Sequence, residues 1–405
     1  MNMSSQVWRV GVRSAHNHTM TTHTVAAHSA QPTTDLLIVG AGIIGLATAF
    51  CALGEGRTVR IVDAAGGSAG AVGASIQNFG HACVTAQSDL IQPVAQASRA
   101  GWLRAAAAAG FWAREAGTWV PAVTEVEAQV LDEFAHHRGS QQVRLIGRDD
   151  VAAALGNPDL AAVSGAHFPR DLRVNPREVV PVLTRYLADQ GVEFVWNARA
   201  LHVGDGTVET TAGTYAGTQV VVAPGHQLSG LFPQLAQRHQ VRVCELVMSM
   251  IRRPAHTPED LSVLTGTSLA RYDGIAAMPS VTALREELVQ REPRLVDCVA
   301  NLMMTGTADH VLIGDSHAYS QAPDPFIDAE IAQLLLDRGC AYLGIEKPCV
   351  VQRWKGIYAD STQTNLVLER PDAATTVAVV TSGIGMTLSF GIAELILSGG
   401  NVAGF

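Results

Sequence analysis

Residues 35–63 read Asp35-Leu36-Leu37-Ile38-Val39-Gly40-Ala41-Gly42-Ile43-Ile44-Gly45-Leu46-Ala47-Thr48-Ala49-Phe50-Cys51-Ala52-Leu53-Gly54-Glu55-Gly56-Arg57-Thr58-Val59-Arg60-Ile61-Val62-Asp63. The first apolar run has strand length and no polar alternation, the pattern of a parallel strand buried on both faces. Residues 46–53 predict a helix, Gly54 and Gly56 stop it, and residues 58–62 predict a second strand ending at the Asp63 carboxylate. Strand, G-x-G-x-x-G turn, helix, strand and acid in this order make a dinucleotide site. Gly40 permits the tight turn, Gly42 lets the backbone approach a pyrophosphate, and Gly45 lets the helix pack on the strand. Ile43 and Ile44 of the turn are expected against the cofactor, and the helix N-terminus then faces the phosphates with unpaired N–H groups and a favourable dipole. Asp63 follows Gly45 by 18 residues, the spacing at which an acid accepts from ribose hydroxyls.

The rest of the composition narrows the function class. With 405 residues, 47% hydrophobic and 16% charged, the chain can bury one large or two medium cores, which excludes disorder and collagen-like repetition. Its 28 Lys and Arg against 37 Asp and Glu leave no basic footprint, so nucleic acid is not the expected partner and a small-molecule enzyme is. The six cysteines are scattered without C-x-x-C or a histidine at ligand spacing, so neither a metal site nor a disulfide framework is expected, and the compartment implied is a reducing cytoplasm. Two uncharged stretches, 36–54 and 373–393, approach membrane-span length. The first belongs to the dinucleotide unit and the second reads as strand, glycine turn and helix, so no integral span is expected. Residues 1–34 contain no acid but include Arg9, Arg13, His16, His18, His23 and His28. Their composition resembles a transit peptide, and the expectation is a disordered extension or a start placed upstream of Met20.

Further along, residues 173–194 (RVNPREVVPVLTRYLADQGVEF) predict a helix with an extended lead, then a strand. Residues 198–203, 207–210 and 219–225, separated by Gly204-Asp205-Gly206 and Ala212-Gly213, predict a small antiparallel meander. At the C-terminal end, residues 376–380 predict a buried strand, 383–387 a glycine turn and 388–397 a helix. Between these parts, 94–133 reads as helical, 241–252 and 298–314 as alternating strands, and 328–343 as a helix.

The amino-terminal fingerprint, the 173–194 stretch and the strand ending Ala223-Pro224-Gly225 together resemble the D-amino-acid oxidase superfamily of FAD-dependent oxidoreductases. The resemblance runs from Asp35 to the C-terminus. It implies an α/β fold with a Rossmann-like FAD-binding domain of the glutathione-reductase and D-amino-acid-oxidase type, and an α+β substrate domain built on an antiparallel sheet. The FAD domain would be discontinuous, from 35–93, 170–232 and 351–405, with 94–169 and 233–350 forming the substrate domain. By the same resemblance the backbone near Ala200 meets adenine, Ala223 and Gly225 lie beside the cofactor, and the turn Gly383-Ile384-Gly385-Met386-Thr387 aims a helix N-terminus at the flavin pyrimidine. Backbone donors there would stabilise the charge of a reduced flavin.

Residues 73–81, Gly73-Ala74-Ser75-Ile76-Gln77-Asn78-Phe79-Gly80-His81, resemble the "ASVRNFG" segment of a bacterial subgroup associated with phosphonate metabolism and proposed to act on aminophosphonates. This implies that Ala74 and Ser75 touch cofactor and that Asn78 and His81 face the ring or the substrate, with His81 a candidate base. Where many relatives carry W-x-G-x-R-P, this chain has Trp354-Lys355-Gly356-Ile357-Tyr358-Ala359, so Tyr358 replaces the arginine that grips a substrate carboxylate. Arg353, Lys355, Arg271 and His317 are the other candidates for an anionic head. No cysteine stands at the site, near Gly356, that binds flavin covalently in some relatives, so noncovalent FAD is expected.

The reaction implied is hydride removal from a carbon bearing an amine to flavin N5, giving an imine that water hydrolyses. The substrate would be a small primary or secondary amine, 2-aminoethylphosphonate or its N-methyl derivative in the subgroup, with oxygen or another acceptor reoxidising the flavin. The cofactor carries the chemistry, and no G-x-S-x-G or Cys/His constellation is present to suggest otherwise. Ile313-Gly314-Asp315-Ser316-His317 resembles the "GD" motif of aromatic hydroxylases, which makes an NAD(P)H-dependent flavin monooxygenase the rival enzyme. A flavin-binding factor without turnover is the rival from another class.

Overall fold

The structure is a computed structural model and describes residues 33–67 and 73–400. Residues 1–32 of the expected extension lie outside the described residues, and Thr34 already opens the first strand, Thr34–Val39. Among the described residues an eight-stranded and a nine-stranded sheet make two layers, joined by a three-stranded one. No helix among them is long and apolar enough to cross a membrane.

In the first sheet, Thr34–Val39 pairs in parallel with Val59–Val62 on one side and with the long strand Gly213–Val222 on the other. Glu193–Val195 extends the sheet beyond Val59–Val62, and Thr375–Val380 extends it beyond Gly213–Val222. Leu36 and Ile38 face one buried cluster while Leu37 and Val39 face another, so alternate residues of a wholly apolar strand fill both sides. The meander is present as Ala200–Gly204, Thr207–Thr210 and the first half of Gly213–Val222.

The first helix, Ile43–Gly54, begins directly after Gly42, three residues before the sequence pattern suggests. The last helix, Gly385–Leu397, likewise absorbs Gly385, Met386 and Thr387 into its first turn. The 94–133 stretch is not one helical region. Helix Gln92–Ala109 stops at Gly110, whose φ of 81° is left-handed, and two short strands precede helix Glu125–Arg138, where the Thr124 hydroxyl accepts from the Glu127 N–H. Helix Gln92–Ala109 also packs with the first layer, although the sequence pattern groups residues from 94 onward with the second. Val94, Ala95, Trp102 and Ala105 share a cluster with Leu36 and Phe390, and the Trp102 indole N–H donates to the Met386 carbonyl at 2.8 Å.

The second sheet is centred on Arg242–Arg252, which pairs antiparallel with His310–Gly314, Ala318–Ser320 and Val350–Asp360. Val247 and Ile251 face a cluster that helix Ala329–Tyr342 covers. Cys244, Leu246, Met248 and Met250 face the opposite way, toward Phe79 and Cys83 of the 73–83 segment. That second face meets the first layer, and the candidate site lies where they meet.

Candidate active site

The glycine turn is built as the fingerprint requires. Gly40 has φ 107°, and a Cβ on Gly45 would collide with the Gly40 carbonyl, so neither position tolerates a side chain. Asp63 reaches back to this turn: its Oδ2 accepts from the Ala41 N–H at 2.6 Å and its Oδ1 from the Ala65 N–H at 2.7 Å. Each carboxylate oxygen keeps a lone pair for a ribose hydroxyl. The Ala198 N–H donates to the Asp63 carbonyl at 2.8 Å, bringing the strand that starts at Ala200 alongside. Ala223 follows strand Gly213–Val222 and crowds Gly40, while Gly225, at φ 56°, opens a short 3-10 turn.

The 73–80 loop lies across both layers. The Ile43 N–H donates to the Ser75 hydroxyl at 2.9 Å, and Gly42 sits against the same oxygen. Gln77 anchors the other end: its carbonyl accepts from the Trp354 indole at 3.1 Å and its side-chain oxygen from the Ile357 N–H at 3.2 Å. Gly356 is where this loop rests on the Val350–Asp360 strand, since a Cβ there would meet the Gln77 carbonyl. Asn78 is committed to the loop itself, donating to the Ala74 carbonyl and accepting from the Gly80 N–H. Its amide therefore braces the loop.

His81 follows on the two-residue strand His81–Ala82. It is buried, with Nε2 at 2.7 Å from the Thr118 hydroxyl, which donates to Asp171 at 2.8 Å. That direction makes Nε2 a donor, and Nδ1 has no partner. Burial is the largest cause holding its pKa down, with Asp171 opposing. Ligand-type atoms of His81, Cys83 and Asp171 lie within 4.8 Å of one another, a juxtaposition that residues 90 positions apart do not announce in sequence. The Cys83 N–H donates to the Thr387 hydroxyl at 3.1 Å, tying this network to the last helix.

Opposite lies a row of side chains from the second sheet. Tyr319, Cys244 and Tyr358 are aligned across three strands and share one face. The Tyr358 ring abuts Gly383, whose φ is 76°, so the strand residue standing where relatives carry arginine touches the turn before the last helix. Burial first, then Cys244, pushes the Tyr358 pKa well up, and burial pushes the Cys244 thiol up to about 12. His317 sits edge-on to Tyr358, ring centroids 6.4 Å apart, and donates from Nδ1 to the Val299 carbonyl at 2.9 Å. Its pKa is lowered to about 3 by burial and then by Arg271. Asp315, buried beside it, is raised to about 7 by burial, with Arg271 opposing.

Asp171, Thr118, Gln77 and Asp315 were not among the expected site residues. Asp315 stands in the Ile313–His317 motif quoted above, but nothing local in the sequence says that its carboxyl is buried.

The residues fit FAD. Helices Ile43–Gly54 and Gly385–Leu397 both begin without a side-chain cap and without an acid in the first turn, leaving N–H donors and a positive dipole end for a pyrophosphate and for a ring carrying negative charge. The model of the FAD dependent oxidoreductase (DAO) family matches residues 35–398. The chain belongs to the DAO family. As a DAO-family protein it is an FAD-dependent oxidoreductase of the expected fold. Its backbone is similar to glycine oxidase from Geobacillus kaustophilus, at 20% identity and TM-score 0.71 over 92% of this chain and 96% of that one. It is similar also to L-amino acid deaminase from Proteus vulgaris, at 19% identity and TM-score 0.70 over 92% of each chain. Iminodiacetate oxidase from a Chelativorans species matches at 17% identity and TM-score 0.70 over 90% of this chain and 96% of that one. No curated protein sequence matches significantly.

Proposed function

We propose that this DAO-family protein oxidises the carbon–nitrogen bond of a small amine that carries an anionic head. The observation that carries this reading is the contact between Tyr358 and Gly383, which brings the second sheet's polar face against the uncapped end of the last helix. FAD, when bound, supplies the two-electron acceptor for that bond. Gly40, Gly42, Ile43, Ile44 and Gly45 would hold its pyrophosphate, Asp63 its ribose and Ala200 its adenine. Ala74, Ser75, Ala223, Gly225, Gly356, Gly383, Ile384, Gly385, Met386 and Thr387 would flank the rest.

The chain's own residues have a limited task. Leu246, Met248 and Tyr358 exclude water, so the neutral amine is favoured over the ammonium. The sheet face aligns the reacting C–H, and water then hydrolyses the released imine. Similarity to oxidases of glycine and iminodiacetate supports an amine substrate, and the 73–81 loop's resemblance supports an aminophosphonate such as 2-aminoethylphosphonate or its N-methyl derivative. In the rival monooxygenase the Gly314-Asp315 step would meet flavin ribityl; here it ends a strand of the second sheet, whereas the glycine turn follows a strand of the first.

The test is anaerobic bleaching of the yellow holoprotein by 2-aminoethylphosphonate, its N-methyl derivative, glycine and sarcosine side by side. Rapid bleaching by an amine with an anionic head is expected. Reduction by NADPH with no response to any of the four would replace this reading with the monooxygenase.

A further inference from the structure

Four cations were candidates for an anionic head, and the structure commits all but one of them. Lys355 donates to Glu245 at 2.5 Å and to the Asp324 carbonyl at 2.6 Å. Arg353 lies across from Ser249, on the face that carries helix Ala329–Tyr342, and donates to Gln333. His317 is neutral over the whole physiological range. Arg271 remains. Its guanidinium is half-buried and makes one long hydrogen bond, 3.5 Å to the Tyr319 hydroxyl, and no ion pair among the described residues.

Such a group is costly unless something completes it, because a sheltered guanidinium offers five donors and a charge. Asp315, near enough to interact electrostatically with Arg271 but not paired with it, is buried, and its Oδ1 has no hydrogen-bond partner. Native folds pair nearly all such atoms, so a buried orphaned carboxyl oxygen within electrostatic reach of a guanidinium that makes one long hydrogen bond and no ion pair points to a ligand between them. Around the two groups burial keeps Tyr272, Cys244, Tyr358 and His317 uncharged at pH 7, and Arg242, whose charge lies over the Tyr319 ring, is already paired with Asp360.

We propose that Arg271 and Asp315 are the two poles of a receptor for a zwitterion, the guanidinium taking the anionic head and the carboxylate the ammonium end. The anion grip therefore comes from the segment after the short helix Gly266–Leu269, not from the strand position that Tyr358 occupies. In the productive complex the ammonium gives one proton to the Asp315 carboxylate, leaving a neutral amine and a neutral carboxylic acid. A carboxyl already pushed up to about 7 by burial is suited to accept it. The substrate class rests on the amine-oxidation reading, but the receptor itself is testable without turnover.

The experiment titrates the FAD-loaded protein anaerobically by calorimetry and by flavin difference spectra, with acetate, methylphosphonate, propionate and β-alanine as probes. Arg271→Met is expected to weaken acetate or methylphosphonate by about tenfold or more, and Arg271→Lys by less, since lysine keeps charge but not the fork. Tighter binding of methylphosphonate assigns the receptor to phosphonates, and tighter binding of acetate to carboxylates; either supports it. Asp315→Asn is expected to abolish the preference for β-alanine over propionate while leaving propionate binding in place. Retention of the wild-type flavin spectrum by Arg271→Lys shows that the fold is kept. Equal anion affinity in wild type and Arg271→Met, or an unchanged β-alanine preference in Asp315→Asn, overturns the proposal. Bleaching by amines with no anion selectivity would overturn the receptor and leave the oxidation reading standing.

Discussion

His317 and Asp315 show how one buried pocket can invert two ordinary acidities. The imidazole stays neutral down to about 3 against 6.5 unperturbed, and the carboxyl stays protonated up to about 7 against 3.8. Between 3.8 and 6.5 the unfolded chain therefore holds its proton on the imidazole and the folded chain on the carboxyl. Both states bind one proton across that window, so the two contributions to the pH slope of stability cancel. Asp315→Asn removes the folded proton site. Its stability relative to wild type is expected to fall on acidification below 6.5, by about 1.4 kcal/mol per pH unit. His317→Asn leaves only the carboxyl, so its relative stability falls at a similar slope as pH rises from 3.8 toward 7. Urea unfolding of the three proteins across the window checks this, and three parallel profiles would show that neither group is shifted as described.

Among the elements, the last helix depends on close approach to its neighbour. A Cβ on Gly391 would collide with the Val94 carbonyl, and one on Gly101 with the Phe390 ring, so two glycines set the distance between helices Gln92–Ala109 and Gly385–Leu397. Gly391→Ala is expected to cost about 1–3 kcal/mol, the usual range for overpacking. It should also loosen FAD, because displacing this helix moves the Gly383 turn and the Thr387 bond to Cys83. Gly54→Ala, with nothing near its Cβ, is the matched control. Equilibrium dialysis of FAD against both variants decides the point: comparable retention would separate the helix contact from cofactor binding.

For the whole molecule, one residue fastens the layers. Arg173 is fully buried and its guanidinium donates to the carbonyls of Phe79 and Gly80 in the site loop, of Leu261 just before strand Ser262–Leu264 and of Gly306 in the second sheet. Burial lowers its pKa to about 9, yet four carbonyls hold the charge in place. Arg173→Met would leave those carbonyls without a donor, a loss of about 3 kcal/mol or more given what each buried unpaired group costs. Guanidinium unfolding reads it directly, and a midpoint close to wild type would mean that water replaces the side chain.

Much of this was determined locally and so was legible in the chain itself. A continuous apolar strand, glycines at Gly40, Gly42 and Gly45 and an acid at Asp63 fix a strand, a turn and a helix through backbone sterics and burial alone, and those constraints act over a few residues. The meander and the C-terminal strand, turn and helix were readable for the same reason. Tertiary structure alone decided what each polar side chain faces. His81 meets Thr118 and Asp171 from 37 and 90 residues away, Asn78 closes its own loop, and helix Gln92–Ala109 joins the first layer through Trp102 and Gly101. Arg271 and Asp315 come within electrostatic reach of each other only when the second sheet folds, because the free energy of a buried charge depends on its surroundings in space and not on its neighbours in sequence.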